Sequence, residues 1–314
     1  MMKGGIILQH RFVHILQTGW TLLRLIAVVS SSIVTILSSL LPLFIHTSLS
    51  TSYLLFMFMF LSVAAVAVHG GLTHLFNDYA DFLSGTDAHS PAVLSGGSRI
   101  IQKQLIPPAL VWKLGKWISI ILLVIASVMA AFGQFEYTVL VVVGVWAAVF
   151  YSLPPLQLSY RPFVGEWLSL FPAIFFLGLA GPWVLLDTIP SWAYQNAIIN
   201  ALVCMAWVMV HHIPDIEADR KATPMKQTSV VWFVDRFGMK FARMPAMIYF
   251  AVAAVCSIWL FMDRLWTGVI VLLLLVIAIL CVWKITPNKL QQVTNIEKFL
   301  LFIAVVIGIG LGIF

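Results

Sequence analysis

Residues 53–87 read YLLFMFMFLSVAAVAVHGGLTHLFNDYADFLSGTD, a long apolar run that ends in a cluster of carboxylates. The apolar part, about residues 53–76, is long enough to cross the ~30 Å hydrocarbon core of a bilayer as a helix. If the helix continues, Asn77 and Asp81 lie on one face because they are four residues apart. Asp87 can fold back from the loop that follows. Three oxygen ligands are therefore predicted to converge at the end of a membrane-spanning helix.

A second acidic cluster, DIEAD at residues 215–219, also closes an apolar run, and Asp215 and Asp219 are again four residues apart. Six of the twelve acidic residues of the chain lie in these two clusters, so we interpret them as a site. For any single residue, a solvated loop charge paired with a neighbouring base is the alternative. Carboxylate oxygens suit Mg²⁺, which usually keeps several waters and binds through a few carboxylates together with phosphate oxygens. The two clusters predict a magnesium and phosphate site.

The composition indicates an integral membrane protein. Hydrophobic residues make up 61% of the 314 residues, charged residues only 10%, and the mean hydropathy is +1.02. A soluble domain typically has about 25% charged residues. The three cysteines, Cys204, Cys256 and Cys281, lie inside apolar runs, so they are predicted to be buried apolar side chains and not a disulfide or metal framework.

Nine apolar runs predict an all-α, polytopic membrane protein with nine transmembrane helices in one bundle, and a single domain over residues 1–314. A short interfacial helix is predicted at about residues 8–22, and a polar loop from the first acidic cluster to Lys116. The spans are expected at about residues 25–45, 53–76, 117–133, 137–153, 167–187, 193–213, 245–262, 265–283 and 296–314.

The lysines and arginines predict the orientation. If the N-terminus is cytoplasmic, every lysine and arginine except Arg264 falls in or beside a cytoplasmic segment, as the positive-inside rule requires. Both acidic clusters then face the cytoplasm. The formal charge of +6 is explained by basic loops beside anionic lipid headgroups, so no nucleic-acid partner is expected.

The same loops supply cations that a diphosphate would require. Such a group can be held by Mg²⁺ on the carboxylates and by basic side chains on its other side, which neutralises a leaving group as its charge develops. Six basic residues share the cytoplasmic face with the clusters: Arg99, Lys103, Arg161, Arg220, Lys221 and Lys226.

Taken together, the sequences NDYADFLSGTD and DIEADRKA resemble the paired aspartate-rich motifs of the UbiA superfamily of intramembrane prenyltransferases. The segment YSLPPLQLSYR at residues 151–161, followed by Gly165 and Glu166, is similar to the segment after the fourth helix of that family. The spacing N-D-Y-x-D-F-x-x-G-x-D is most similar to the branch that contains 1,4-dihydroxy-2-naphthoate prenyltransferases. The resemblance covers about residues 70–240.

This resemblance implies a central cavity and an Mg²⁺-dependent transferase that moves a prenyl group from an isoprenyl diphosphate to an aromatic acceptor, in quinone or meroterpenoid biosynthesis. It implies that catalysis depends on Asp81, Asp215 and Tyr151. The implied metal ligands are Asn77, Asp81, Asp87, Asp215 and Asp219, and the implied diphosphate contacts are Arg99, Lys103, Arg161 and Lys221. The prenyl tail would extend sideways into the lipid bilayer.

The chain departs from the family at two places. Where related sequences often have asparagine, four residues before Asp215, this chain has His211, which either contacts a ligand or is a polar residue at the cavity mouth. The stretch 223–228 lacks the Gly-Lys-Arg run often seen after the second motif.

Two alternative functions remain open at this stage. A membrane terpene cyclase or a lipid-ether prenyltransferase would have the same metal site and differ in the acceptor. A transporter that couples ions through intramembrane carboxylates is disfavoured, because the aspartates lie at one face and not at mid-membrane. The acceptor, the prenyl chain length and the oligomeric state are left undetermined by the sequence.

Overall fold

The computed structural model describes residues 25–91, 95 and 97–313, and within them every regular element is a helix. The interfacial helix predicted at residues 8–22 lies outside the described residues. Nine described helices are long and apolar enough to cross a membrane, as predicted. They are α1 (Ile26–His46), α2 (Thr51–Ser84), α3 (Pro108–Ala131), α4 (Phe135–Ser152), α5 (Glu166–Leu185), α6 (Ser191–Lys221), α7 (Met239–Met262), α8 (Leu265–Trp283) and α9 (Leu290–Ile313).

Several helices extend beyond their predicted ends. Both acidic clusters are helical, since α2 continues to Ser84 and α6 to Lys221, the latter through a 3-10 turn at Ile213–Asp215. The polar loop predicted to run to Lys116 is wrong over residues 108–116, because α3 already begins at Pro108. Proline favours the first position of a helix, where its missing N–H would have no partner anyway.

The end of α2 is set by Gly85, whose φ of +79° places it in the left-handed conformation. Glycine adopts this conformation without steric cost and commonly terminates helices. The chain reverses there into a short helix, Thr86–His89, and the turn brings Asp87 back toward Asp81. The predicted return of Asp87 is thus produced by a glycine helix end.

The nine helices form a closed ring around a cavity. Each packs against its neighbour in sequence, α2 also contacts α4, and α1 closes the ring against α9. Helix α6 is the most buried and contacts α5, α7 and α9. Small residues allow close approach, since a Cβ added at Gly178 of α5 would lie 2.9 Å from the Cβ of Ala197 on α6. Close packing through small residues is a usual basis of helix association in membranes.

A polar cluster joins the helices at the end of the bundle opposite the acidic clusters. The Arg264 guanidinium donates to the Gln195 and Asn196 side-chain oxygens, both at 2.8 Å, and to the Leu311 carbonyl at 3.0 Å. The Asn196 amide in turn donates to the carbonyls of Ser38, at 3.0 Å, and Leu311, at 2.9 Å. These bonds connect α1, α6, α9 and the turn between α7 and α8. The one basic residue predicted on this side therefore has a structural role.

Replacing Asn196 with alanine is expected to lower the stability of the bundle by about 1–3 kcal/mol, because buried polar partners lose their hydrogen bonds. Thermal unfolding in detergent measures the change, and Gln134→Ala, at an exposed position, is the control. Equal midpoints for the two variants would show that the cluster contributes nothing to stability.

Candidate active site

A cavity of about 580 Å³ lies within the ring of helices. Its polar end is formed by the ends of α2, α4 and α6 and by the segments that follow α2 and α6. Its other walls are apolar and include Leu61 of α2, Leu140 of α4 and Leu177 of α5. The cavity therefore suits a molecule with a charged head and a hydrocarbon tail.

The first acidic cluster contributes three residues to the polar end: Asn77, Asp81 and Asp87. The Asn77 amide donates to Asp81 Oδ2 at 2.8 Å, as expected for residues four apart on a helix. The Gln102 amide donates to Asp87 Oδ2 at 2.7 Å. Burial, together with the negative charges of Asp81 and Asp78, raises the pKa of Asp87 to about 7. This end of the cavity therefore carries an excess of negative charge that a cation would relieve.

The second cluster faces the first across the cavity. Asp215 and Asp219 both line the cavity and are buried. The Ser90 hydroxyl, from the segment after the first cluster, donates to Asp215 Oδ1 and so links the two clusters. Asp219 is only 1% exposed, and its Oδ2 is buried without a hydrogen-bond partner in the described part of the chain. A buried carboxylate oxygen without a hydrogen-bond partner lowers the stability of the folded protein. Such an atom is therefore available to bind a ligand.

Lys226 is the one lysine or arginine among the described residues that line the cavity. Its Nζ lies 2.7 Å from Asp81 Oδ1, and the ammonium also lies 5.8 Å from the centre of the Tyr160 ring. Burial opposes its charge, but Asp81 and Asp219 outweigh burial and raise the pKa of Lys226 well above its ordinary value. The ammonium is therefore charged at neutral pH.

The segment after α6 positions Lys226 through its backbone. The Thr223 N–H donates to the Ser84 carbonyl at 2.9 Å, and the Lys226 N–H donates to the Asp219 carbonyl at 2.9 Å. The first bond ties the segment to the end of α2. The second turns the chain back over the last turn of α6, so that the lysine enters the cavity between the two acidic clusters.

Three further residues singled out from the sequence lie in or beside the cavity. Tyr151 and His211 line the cavity, and the Tyr151 hydroxyl lies 3.3 Å from His212 Nε2. Arg99 does not line the cavity, but its guanidinium donates to the carbonyl of Ser90, a cavity residue, at 2.6 Å.

Lys103, Arg161 and Lys221 are exposed and lie outside the cavity. Arg161 lines a separate, much smaller pocket of about 10 Å³ behind Tyr151. Lys221 is two residues beyond Asp219 on the same helix, and this spacing turns its side chain away from the cavity. The structure therefore does not bring these three cations to the acidic clusters.

Several cavity or supporting residues lack a distinctive pattern in the sequence. Lys226 was one of six basic residues assigned to the cytoplasmic face, and nothing local separates it from Lys221. Gln102 and Ser90 lie in the connecting segment, and Glu297, which bonds to His211, is 86 residues further along the chain. Asp78, in the first acidic cluster, is buried outside the cavity lining and accepts a hydrogen bond from Ser98 Oγ.

The described residues fit a magnesium ion that arrives with a phosphate. Four carboxylates face the cavity against one lysine, and all the candidate ligands are oxygens. Within residues 25–91, 95 and 97–313, no three His, Cys, Asp or Glu side chains are placed around one point to hold an ion by themselves. The three oxygen ligands predicted from the first cluster, Asn77, Asp81 and Asp87, all line the cavity, where Asp81 is paired with Lys226 and Asp87 with Gln102. Mg²⁺ commonly takes one or two carboxylates and completes its shell with water and phosphate oxygens.

Two solved structures are similar to the chain. A UbiA homolog from Archaeoglobus fulgidus bound to GPP and Mg²⁺ has 14% sequence identity and a TM-score of 0.62, over 92% of this chain and 99% of that chain. The same homolog bound to DMAPP and Mg²⁺ has 14% identity and a TM-score of 0.59, over 92% and 98%. At this identity the likeness shows a shared fold. A search of curated protein sequences gives no match.

The sequence itself matches a family model. The model of the UbiA prenyltransferase family aligns with residues 32–306, which include all nine membrane-spanning helices in whole or in part and both acidic clusters. The nine apolar helices of the described residues, together with this family match, make the protein an integral, multi-pass membrane protein. Because the match extends over most of the chain, the protein belongs to the UbiA prenyltransferase family.

Proposed function

We propose that this prenyltransferase moves a prenyl group from an isoprenyl diphosphate to an aromatic acceptor, with Mg²⁺ as its cofactor. The observation that carries the proposal is the polarity of the cavity. Four aspartates and Lys226 stand at one end, and apolar side chains line the rest. A prenyl diphosphate has the same division between a highly charged head and a hydrocarbon tail.

The proposed magnesium ligands are the five residues named from the sequence. All of them line the polar end: Asn77, Asp81, Asp87, Asp215 and Asp219. The two similar Archaeoglobus structures, which contain a prenyl diphosphate and Mg²⁺, support this assignment. When bound, Mg²⁺ would neutralise the diphosphate and make it a better leaving group.

We propose that the protein's own side chains stabilise the charges that develop in the reaction and keep water out of the cavity. Lys226, already charged and buried, is placed to stabilise the negative charge that develops on the departing diphosphate. Arg99 is proposed as a second contact at the cavity mouth, whereas the exposed Lys103, Arg161 and Lys221 are left out. The apolar walls hold the tail and keep water from the allylic cation. Tyr151 lines the cavity and is placed to stabilise that cation through its ring.

We also propose which class of acceptor the protein uses. The spacing N-D-Y-x-D-F-x-x-G-x-D supports the 1,4-dihydroxy-2-naphthoate branch, and hence quinone biosynthesis. We further propose that residues 1–314 form one domain. We also propose that its polar end and N-terminus are cytoplasmic, on the distribution of lysine and arginine.

The experiment that tests the function is diphosphate release by the purified protein in detergent with Mg²⁺ and a series of prenyl diphosphates. It is run with and without dihydroxynaphthoate, homogentisate or hydroxybenzoate, and products are identified by mass. Release that depends on one acceptor and yields its adduct supports the proposal. Acceptor-independent release of a hydrocarbon or prenyl alcohol would indicate a terpene cyclase. No release would contradict both and favour transport.

Removing the metal is expected to abolish this activity. Four buried carboxylates and a diphosphate cannot be brought together without a compensating cation, because like charges at close range repel strongly in a water-poor site. Turnover with EDTA should therefore fall to background and return when Mg²⁺ is added in excess. Turnover that continues in EDTA would contradict the metal assignment.

A further inference from the structure

A histidine and a glutamate form a buried pair at the edge of the cavity. His211, on α6 just before its 3-10 turn at Ile213–Asp215, lines the cavity, and its Nδ1 lies 2.5 Å from Glu297 Oε1 on α9. Glu297 is completely buried. The pair therefore joins a cavity residue to a carboxylate that water and ligands cannot reach.

The histidine ring is held in place on two sides. Trp207, one turn earlier on α6, stacks on it with ring centres 5.0 Å apart and an interplanar angle of 28°. The Trp207 indole N–H also donates to the Glu297 carbonyl at 3.3 Å. Within the described part of the chain, Nε2 of His211 makes no hydrogen bond. The fixed ring thus leaves one nitrogen available to a ligand in the cavity.

Packing alone does not explain this pair. A buried carboxylate is costly unless it is paired and hydrogen-bonded, and apolar side chains of similar size often serve stability as well or better. The Oε2 atom of Glu297 has no partner in the described part of the chain, and no lysine or arginine there pairs with it. His211 is its counterpart, so the carboxylate is matched to a ring that can gain a proton.

We propose that His211 is the general base that removes the hydroxyl proton of the aromatic acceptor, with Glu297 as its positioning residue. This inference rests on the proposed function and adds a residue role to it. A carboxylate bonded to Nδ1 keeps the hydrogen of neutral imidazole on that nitrogen, leaves Nε2 as the acceptor, and stabilises the imidazolium that forms.

The prenyl group and the acceptor proton move in the same reaction. The allylic C–O bond of the prenyl diphosphate breaks, and diphosphate leaves with the bonding electrons. The acceptor hydroxyl gives its proton to His211 Nε2, and the resulting phenolate attacks through a ring carbon to form the C–C bond. The proton on that carbon is then lost as the ring becomes aromatic again and the oxygen regains a proton from the imidazolium. Diphosphate and one proton are the net by-products.

Three titratable groups near His211 already have partners, and Asp219, whose Oδ2 has none in the described residues, is assigned to the metal. His212 is bonded to the Tyr151 hydroxyl, Asp215 accepts from Ser90, and Lys226 is paired with Asp81. Glu297 is the charged group that faces His211 from α9. His211 is therefore the base at this end of the cavity whose accepting nitrogen is free for a substrate.

The test compares His211→Gln with wild type and with a control variant, His46→Gln. His46 is an exposed histidine, the last residue of α1, and does not line the cavity. Glutamine can keep a hydrogen bond to Glu297 but cannot accept the proton. Acceptor-dependent turnover is expected to fall about 10²–10⁴-fold in His211→Gln, the usual contribution of a general base. The KM for the prenyl diphosphate should stay unchanged, and so should turnover of His46→Gln.

The pH profile separates a base from a structural residue. Wild-type turnover should fall on the acidic side as His211 becomes protonated, and this limb should disappear from the residual activity of His211→Gln. Glu297→Gln should retain part of the turnover and shift the limb to lower pH, because the imidazolium then loses the carboxylate that stabilises it. Turnover of His211→Gln within about threefold of wild type, with an unchanged profile, would overturn the proposal.

A binding measurement keeps the inference separate from the proposed function. 4-Nitrophenol, a phenol about as acidic as the imidazolium ion and with a phenolate that absorbs at longer wavelength, is added without a prenyl diphosphate, in a buffer acidic enough to keep the free phenol protonated. The phenolate band should be stronger with wild type than with His211→Gln. If wild type forms no aromatic adduct, the proposed function fails, while this spectrum still decides the role of His211. Equal phenolate bands with the two proteins would overturn that role.

Discussion

The Asp215→Asn variant is expected to lose prenyl transfer by about 10³-fold or more while its bundle stays folded. Removing one preorganised electrostatic group from an active site typically costs about 10²–10³-fold, and the loss here also weakens magnesium binding. Asp215 accepts a hydrogen bond from Ser90, which an asparagine oxygen can still accept. Turnover and the unfolding midpoint are measured on the same preparation.

The matched control is Glu217→Gln, which lies in the same cluster. Its carboxylate is largely exposed and pairs with Arg220 at 3.0 Å, away from the cavity. This variant should keep full activity. Activity retained in Asp215→Asn, or lost equally in both variants, would refute the assignment of Asp215 to the metal.

Asp81→Asn is expected to lose activity to the same degree but also to lower stability. From the sequence alone, both variants are expected to leave the fold unchanged, because the aspartates serve a metal. The structure differs at Asp81, whose carboxylate is the ion-pair partner of the buried Lys226. Breaking such a pair leaves an uncompensated buried charge, which typically costs about 3–5 kcal/mol.

The Lys226→Met variant has the second large expected effect. The side chain of Lys226 is buried between the two clusters, and methionine replaces its volume without its charge. Turnover should fall by about 10²–10³-fold, because the departing diphosphate loses a charged partner. Lys240→Met, at an exposed position in the first turn of α7, is the control and should keep its activity.

A second readout distinguishes a lost contact from general damage. Without Lys226, the carboxylates of Asp81 and Asp219 repel each other, so metal-free Lys226→Met should unfold at a lower temperature than wild type. Added Mg²⁺ should restore more stability to the variant than to wild type, since binding to the folded state stabilises it. Equal magnesium effects in both proteins would show that Lys226 does not share the charge balance of the site. Lys221→Met tests the prediction made from the sequence and is expected to have little effect.

Much of the fold was accessible from the sequence because hydropathy and length decide which segments span a membrane. All nine helices were predicted, and the spacing of Asn77 and Asp81 correctly placed them on one face. The ends of the helices were less accessible. Charged residues end an apolar run but do not end a helix, so α2 and α6 continue through their acidic clusters.

The site was predictable only where one helix or one turn determines the geometry. Lys226 reaches the cavity because the segment after α6 is bonded to Ser84 of α2, a contact that depends on how the helices pack. The pairing of His211 with Glu297 likewise requires α6 and α9 to be neighbours. Local spacing cannot reveal such contacts, and three of the cations assigned from the family resemblance, Lys103, Arg161 and Lys221, do not line the cavity.

The hydrogen bonds between the two acidic clusters also bear on how the protein is made. Ser90 and Ser84 come from the first third of the chain, and their partners, Asp215 and Thr223, from beyond its middle. A ribosome must therefore deliver more than two thirds of the polypeptide before the polar end of the cavity exists. Until then Asp81 has no ion-pair partner, because Lys226 has not yet been added to the chain. Water at the membrane surface can hydrate the carboxylate during this time. The polar end of the cavity can therefore form only after α6 and the segment that follows it have been synthesised.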